Sequence, residues 1–336
     1  MEALPRISLV TPSFMQAAFL DGCLTSVREQ AYPSLEHIVV DGGSTDGSVQ
    51  LIEQASSTLA WWCAEKDQGQ SHAINKGLSH ATGDVFGWLN SDDLLLPGSL
   101  AQVGAAFAAD PDLVVYGGRR ILRSMTDVDT PSGLDDASRP DALFTDPKVN
   151  QQSTFYRLGV VKAIGGVETA LHYAMDLELW WQVLFAQGTD HLRFDALDLA
   201  VFRYHPDSKT VRDQAAFRSE TAAILRQLAV QVDQHDLVAV LDQGYPDRIA
   251  LRPMSVDGSK APIIRRMIVR FLLKWNHMVH ERSQFEMMRL FRRTVDLRTM
   301  PLDEVDTKRL TLLDGQLRVP GWLAFRLKRK FDHLVR

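Results

Sequence analysis

Along the first ninety residues, apolar positions switch repeatedly between short β-rich runs and helical spacing. Arg6-Ile-Ser-Leu-Val-Thr11 is a run of β-formers that stops at Pro12. From Ala17 to Gln30, Phe19, Leu20, Cys23, Leu24 and Val27 recur at helical intervals, and Tyr32-Pro33 closes that helix. Glu36 to Asp41 predicts a second strand, followed by the turn-rich Gly42-Gly43-Ser44-Thr45-Asp46-Gly47. A helix from Ser48 to about Ala55, a strand around Leu59–Ala64, a helix over Gln70–His80 and a strand over Asp84–Leu89 continue the pattern. Such alternation predicts an α/β fold, with a mainly parallel sheet flanked by helices on both faces.

The rhythm changes further on. Thr126 to Asp146 is rich in Asp, Ser, Thr, Pro and Gly, which predicts a mobile loop, either a lid or a disordered insertion. A helix near Asp176–Gln187 and a strand near Leu192–Tyr204 follow, and beyond about residue 215 the pattern is almost wholly helical. The expected organisation is therefore an α/β domain over 1–215 and a helical region over 216–336.

Charge sharpens that division. The chain carries a net charge of −5, but residues 260–336 hold 18 Lys and Arg against 8 Asp and Glu, about +10, leaving about −15 in front. So acidic a front part repels nucleic acid and accepts phosphates only through a cation. In the tail, Ile263, Ile264, Met267, Ile268, Phe271, Leu272 and Trp275 stand at helical spacing among arginines and lysines, and Trp322 to Arg336 repeats this character. Basic amphipathic helices of this kind lie on anionic membrane surfaces, pack on a neighbouring domain, or form a homodimer contact. No apolar run reaches the roughly 20 residues of a spanning helix, and the start of the chain lacks the pattern of a secretory signal. Cys23 and Cys63 form neither a metal-ligand spacing nor a disulfide framework, and both are expected to be core thiols of a cytoplasmic protein.

In open α/β sheets ligands bind beyond the carboxyl ends of the strands. The polar clusters Thr11-Pro12-Ser13, Asp41 to Asp46, Glu65 to Gln70 and Asn90 to Asp93 fall there. Neither GxGxxG nor GxxxxGK[ST] follows a strand, which argues against a nicotinamide dinucleotide fold and a phosphate loop. Adjacent carboxylates at Asp92 and Asp93 suit a hard divalent ion, or else one of them caps the helix that starts near Pro97. Asp41 is placed either to accept from a nucleobase or ribose or to form its own turn, while Asp67 and Gln70 hold the equivalent place after the third strand. Asp176 opens a helix, where a carboxylate favours the dipole or serves as a general base. Glu178 falls on another face of that helix; Trp180 and Trp181 either stack on sugar rings or pack in the core. His205 follows the last strand, with Arg203, Ser208 and Lys209 around it as phosphate-facing groups.

Assembled in order, these stretches resemble the inverting GT-A-fold glycosyltransferases that build bacterial polysaccharides. The resemblance rests on Ile7-Ser-Leu-Val-Thr-Pro-Ser13, Val39-Val-Asp-Gly-Gly-Ser-Thr-Asp-Gly-Ser48, Asp67-Gln-Gly-Gln-Ser71, Ala73-Ile-Asn-Lys-Gly77 and Ala81-Thr-Gly-Asp84 with Trp88-Leu-Asn-Ser-Asp-Asp93. It continues through Gln152-Ser-Thr-Phe155, Tyr173-Ala-Met-Asp-Leu-Glu-Leu-Trp180 and Phe202-Arg-Tyr-His-Pro-Asp-Ser208, covering roughly residues 5–210. It implies a pocket for a nucleotide-diphosphate sugar, a UDP-sugar above all, built from Thr11, Pro12, Ser13, Asp41, Asp67, Gln70, Asn75, Asn90, Ser91 and Asp92. It further implies Mn²⁺ or Mg²⁺ held by Asp92, Asp93 and His205, and Asp176 as the base that deprotonates a hydroxyl of a saccharide or lipid-linked acceptor. Two positions depart from the pattern: Asn90 stands where many relatives have an Asp, and Gly42 replaces a second Asp after the second strand. The rival classes are a sugar-phosphate nucleotidyltransferase, whose Gly-rich basic loop is missing after the first strand, and a non-catalytic binding module.

Overall fold

The computed structural model describes residues 4–124, 126, 128–205, 213–298 and 300–327. It divides into two compact units, Met1–Leu143 with Pro147–Phe217 and Phe144–Asp146 with Arg218–Arg336.

In the first unit, β1 (Ile7–Ser13) is buried along its whole length, Ser8, Thr11 and Ser13 included, as a strand covered on both faces must be. It pairs in parallel with β2 (Leu35–Asp41) on one side and β4 (Val85–Trp88) on the other, and β2 pairs in parallel with β3 (Trp61–Ala64). The crossovers between them are α1 (Ala17–Arg28), α2 (Ser48–Ala55) and α3 (Gln70–His80). Leu20, Leu24, Val39 and Ile52 pack together between α1, α2 and β2. A larger cluster including Ile7, Val27, Val85, Val103, Phe107, Tyr116 and Phe155 joins α1 and α4 (Ser99–Ala109) to β1, β4, β6 and β8.

Beyond β4 the sheet is mixed. Its order is β3-β2-β1-β4-β8-β6-β9-β5, with β7 on β6. Here β5 is Leu94–Leu95, β6 Val115–Arg123, β7 Asp129–Pro131, β8 Thr154–Arg157 and β9 Leu192–Arg203. Antiparallel β8 joins the parallel half to the β6–β9 pair, which is itself parallel. Three short helical elements complete this part: α5 (Pro140–Thr145), α6 (Leu158–Ala163) and α7 (Met175–Gln187).

The segment expected to be a mobile loop is instead tied down. β7 pairs with β6, Asn150 donates to the carbonyls of Gly118 and Gly133, and Asp135 accepts from the backbone N–H of Lys148 and Val149. Polar, turn-rich composition there supplies the side chains that fasten the loop, rather than freeing it.

The second unit is helical among its described residues. It draws on α8 (Gln214–Gln231), α9 (His235–Gly244), α10 (Ala261–Asn276), α11 (Arg282–Thr294) and α12 (Glu304–Leu317). The stripe of α10 is not free to lie on a membrane: Ile264, Met267, Ile268, Phe271 and Leu272 are all buried within the unit. Much of the positive charge is likewise internally matched. Arg270 bridges Asp146, Asp303 and Asp306, Lys274 bonds Asp146, Arg265 bonds Asp236, and Arg292 bonds Asp314. Residues 322–327 are helical, with Trp322 and Phe325 against Phe285, while Leu323 and Leu327 are exposed. Lys328, Arg329, Lys330 and Phe331 lie outside the described residues. No described helix is long and apolar enough to cross a membrane.

Candidate active site

Because β1 to β4 run the same way, their carboxyl ends share one edge, and the residues singled out in the sequence meet there. Their side chains divide into those facing a ligand and those holding the edge together. Asp41 belongs to the second class. Its Oδ1 accepts from the N–H of Gly43 and Ser44, its Oδ2 from the Ser44 hydroxyl, and the residue is fully buried. The turn-forming reading therefore wins over the base-binding one. Thr11 is also interior, its hydroxyl 3.0 Å from His37 Nε2. Asn75 spans the backbone of Val167, donating to its carbonyl and accepting from its N–H at 2.7 and 2.8 Å, so it anchors the segment ahead of α7. Pro12 and Ser91 are buried, while Ser13 Oγ is a buried hydroxyl with no hydrogen-bond partner among the described residues. Such a group calls for a polar atom from a ligand or water.

Gly42 has a steric explanation. A Cβ there would lie 3.0 Å from Asp67 Oδ2 and 3.1 Å from the Phe14 ring. The space a second Asp would fill is already taken by Asp67, whose Oδ1 accepts from Gly69 N–H.

The Asn90–Asp93 turn is the centre of the site. Asn90 accepts from Gln70 Nε2 at 2.7 Å and donates to Gln151 Oε1 and Asp93 Oδ2 at 3.2 and 3.4 Å. Asp93 is turned inward: it is fully buried, with Oδ1 accepting from Arg203 N–H and Oδ2 from Gln152 Nε2. Burial, reinforced by Asp92 alongside, pushes its carboxyl well above the ordinary range. Asp93 is thus a structural carboxylate and not the expected metal ligand. Asp92 points the other way, its Oδ2 lying 3.1 Å from His205 Nε2. Phe19 stacks on the His205 ring at 4.5 Å between centroids, and its ring also lies 5.0 Å from the Arg203 guanidinium. Arg203 is no phosphate ligand here, because its guanidinium donates to the carbonyls of Phe19, Ser91 and Asp92. Ser208 and Lys209 lie outside the described residues.

Among the described residues no group of three or more His, Cys, Asp or Glu is arranged around a metal position. Asp92 and His205 nevertheless fit a divalent ion as a pair. Neighbouring donors about 2.1 Å from an octahedral ion stand about 3 Å apart, and the 3.1 Å between their atoms matches. Remaining positions on such an ion are filled by substrate oxygens and water.

Asp176 lies in the first turn of α7 and is half-buried. Glu178 is buried and accepts from Gln182. Trp180 is fully buried, donating from Nε1 to the Leu143 carbonyl, and Trp181 is buried too, so both tryptophans are core. Arg120, which the sequence pattern did not single out, lies within electrostatic reach of both Asp93 and Asp176, while burial lowers its affinity for its proton.

Comparison with known proteins gives the family and the fold. Residues 8–164 match the glycosyl transferase family 2 model. An uncharacterised glycosyltransferase of Mycobacterium tuberculosis is 32% identical over 180 residues, spanning 53% of this chain and 68% of that protein. The chain belongs to glycosyl transferase family 2. This family 2 glycosyltransferase has the GT-A fold, and two solved structures resemble it at that level. S. aureus TarS 1-349, in complex with UDP-GlcNAc, superposes with a TM-score of 0.59 at 14% identity, over 93% of this chain and 85% of that one. The mannosyltransferase PcManGT of Pyrobaculum calidifontis, in complex with GDP-Man and Mn²⁺, gives 0.54 at 18% identity, over 97% and 83%. A longer TarS chain is covered over 55% of its length.

Proposed function

We propose that this glycosyltransferase moves a sugar from a nucleoside-diphosphate donor, a UDP-sugar above all, to a hydroxyl of a saccharide or lipid-linked acceptor, with inversion. The observation that carries the reading is the Asp92–His205 pair, 3.1 Å apart beyond the carboxyl end of β4, and Asp176 in the first turn of α7 is the carboxylate offered as base. The nucleotide sugars and the Mn²⁺ named with the two solved structures support it. Asp92 and His205 would hold Mn²⁺ or Mg²⁺, and the ion would neutralise the departing diphosphate. Asp176 takes the proton of the acceptor hydroxyl as that oxygen bonds the anomeric carbon and the carbon–phosphate-oxygen bond breaks on the opposite face. Orientation of both substrates in the crevice supplies much of the remaining rate.

Donor turnover over a panel of nucleotide sugars, with Mn²⁺, Mg²⁺ or EDTA, tests this. Asp176→Asn is expected to lower kcat by roughly 10²-fold or more with donor affinity retained. Asp92→Ala and EDTA are expected to abolish metal-dependent donor binding and turnover together. Undiminished turnover in Asp176→Asn removes the base assignment.

Free thiols at Cys23 and Cys63 suit a cytoplasmic enzyme. Exposed Leu323 and Leu327, beside Arg326, are the segment through which it would touch an anionic membrane carrying a lipid-linked acceptor. The full chain should co-sediment with anionic liposomes, and Leu323→Asp with Leu327→Asp should release it; equal binding by the variant rejects this contact.

A further inference from the structure

Three arginines on β6 face three different situations. Arg119 donates from Nε to Asp198 at 2.8 Å, and Arg123 makes a two-pronged pair with Asp129, both bonds 2.9 Å. Arg120 has no such carboxylate partner among the described residues. Its Nη1 donates to Gln152 Oε1 over a long 3.3 Å, its guanidinium lies 5.1 Å from the Phe202 ring centroid, and its Nε is buried with no hydrogen-bond partner among the described residues. A guanidinium carries five N–H donors in a rigid fork. Leaving the Nε–H buried and unmatched among the described residues is costly, and stability alone would not select it.

A counter-ion role for Arg120 toward Asp93 is the obvious alternative, and Gln152 argues against it. Its amide stands between the two charges, accepting from Arg120 through Oε1 and donating to Asp93 Oδ2 at 2.8 Å through Nε2. A structural ion pair would close directly, as those of Arg119 and Arg123 do. Here the amide instead holds the cation away from the buried carboxylate. Burial lowers the affinity of Arg120 for its proton, against the pull of Asp93 and Asp176. These are the carboxylates next to Asp92 and at the head of α7.

We propose that Arg120 is an anion-binding residue of the active site, taking a phosphate or carboxylate oxygen of a bound substrate with its unengaged N–H donors. The assignment rests on the glycosyl-transfer reading above. Bidentate recognition of an oxyanion is what the planar fork does best. The anion is either the donor diphosphate or an acidic group on the acceptor, such as a uronic acid carboxylate or a phosphodiester.

Calorimetry on the full chain with Mn²⁺ separates these sources. Uridine, UDP, and then glycerol 3-phosphate or glucuronate added to the UDP-saturated protein are titrated into wild type, Arg120→Gln and Arg120→Lys. A tenfold or larger loss of UDP affinity in Arg120→Gln, with uridine unchanged, assigns the donor diphosphate. Unchanged UDP affinity with lost binding of glycerol 3-phosphate or glucuronate assigns an acidic acceptor. In either case Arg120→Lys restores binding only in part, since it keeps the charge without the fork, and it serves if the glutamine variant unfolds. Equal affinities for all probes in wild type and both variants overturn the proposal alone, even if the melting temperature falls. A wild type that binds neither nucleotide nor anion overturns it together with the function on which it rests.

Discussion

At the scale of single residues, the amide at position 90 is the hub of the turn between β4 and β5. Asn90 must donate twice, to Asp93 and to Gln151, while accepting from Gln70. A carboxylate accepts only, so Asn90→Asp would lose both donations and set a second charge against the buried Asp93. The substitution that restores the resemblance to many relatives is therefore expected to destabilise this protein by about 2–4 kcal/mol and to raise the donor KM. Urea unfolding and donor kinetics check both, and an Asn90→Asp protein as stable as wild type would remove the hub. That Asp92 and His205 come together was legible in the sequence, because polar residues that follow strands in such sheets gather at one edge. Asp41, Thr11 and Asn75 were misread for a shared reason. A polar side chain at a strand end or on a crevice helix bonds its own scaffold as readily as a ligand, and residue type does not reveal which. Arg120 escaped notice because nothing in the residues beside it marks a lone arginine as unpaired.

Among the elements, those that carry the site were the easiest to read. β1, β2, α1, α2 and α3 follow the apolar periodicity nearly to their ends, as does α7. The strands that complete the sheet were not. β6 runs through Gly117-Gly118-Arg119-Arg120, a stretch with neither alternation nor an apolar run, and its strand character comes from neighbours β8 and β9. β8 and β5 are too short to show any period. Packing between elements can also reverse an expectation based on propensity. Alanine at a helix-interior glycine ordinarily stabilises by about 1 kcal/mol. In α3, a Cβ on Gly77 would stand 2.5 Å from Val10 Cγ1 on the fully buried β1, so the helix would have to lift from the strand. Overpacking of that kind costs roughly 1–3 kcal/mol, and Gly77→Ala is expected to be a net loss. Because Gln70 heads the same helix, donor affinity should fall with it; a variant more stable than wild type would show α3 to be loosely seated.

For the whole molecule, part of the charge asymmetry of the chain is met inside the second unit, where Arg270 alone meets three carboxylates. One pH-responsive group lies deep in the first unit. His37 on β2 is buried beneath Thr11, and burial pushes its imidazole down to about 4 from the ordinary 6.5. Above pH 6.5 the ring is neutral in both folded and unfolded chains and contributes nothing to pH dependence. Between 6.5 and 4 the unfolded chain binds a proton that the folded one refuses, so stability falls as pH falls through that window. By pH 5 the loss from this one group is roughly 2 kcal/mol. Carboxylates held below their usual range, such as Glu36, act mainly at lower pH, so the comparison belongs between pH 7.5 and 5. The tryptophans at 61, 62, 88, 180 and 181 all lie in the first unit and make its unfolding visible by fluorescence. His37→Gln, which removes the titrating group but keeps a polar partner for Thr11, should start less stable yet decline more gently as pH drops. If wild type and variant decline in parallel, His37 takes up its proton in the folded state, and the interior around Thr11 is wetter than its burial implies.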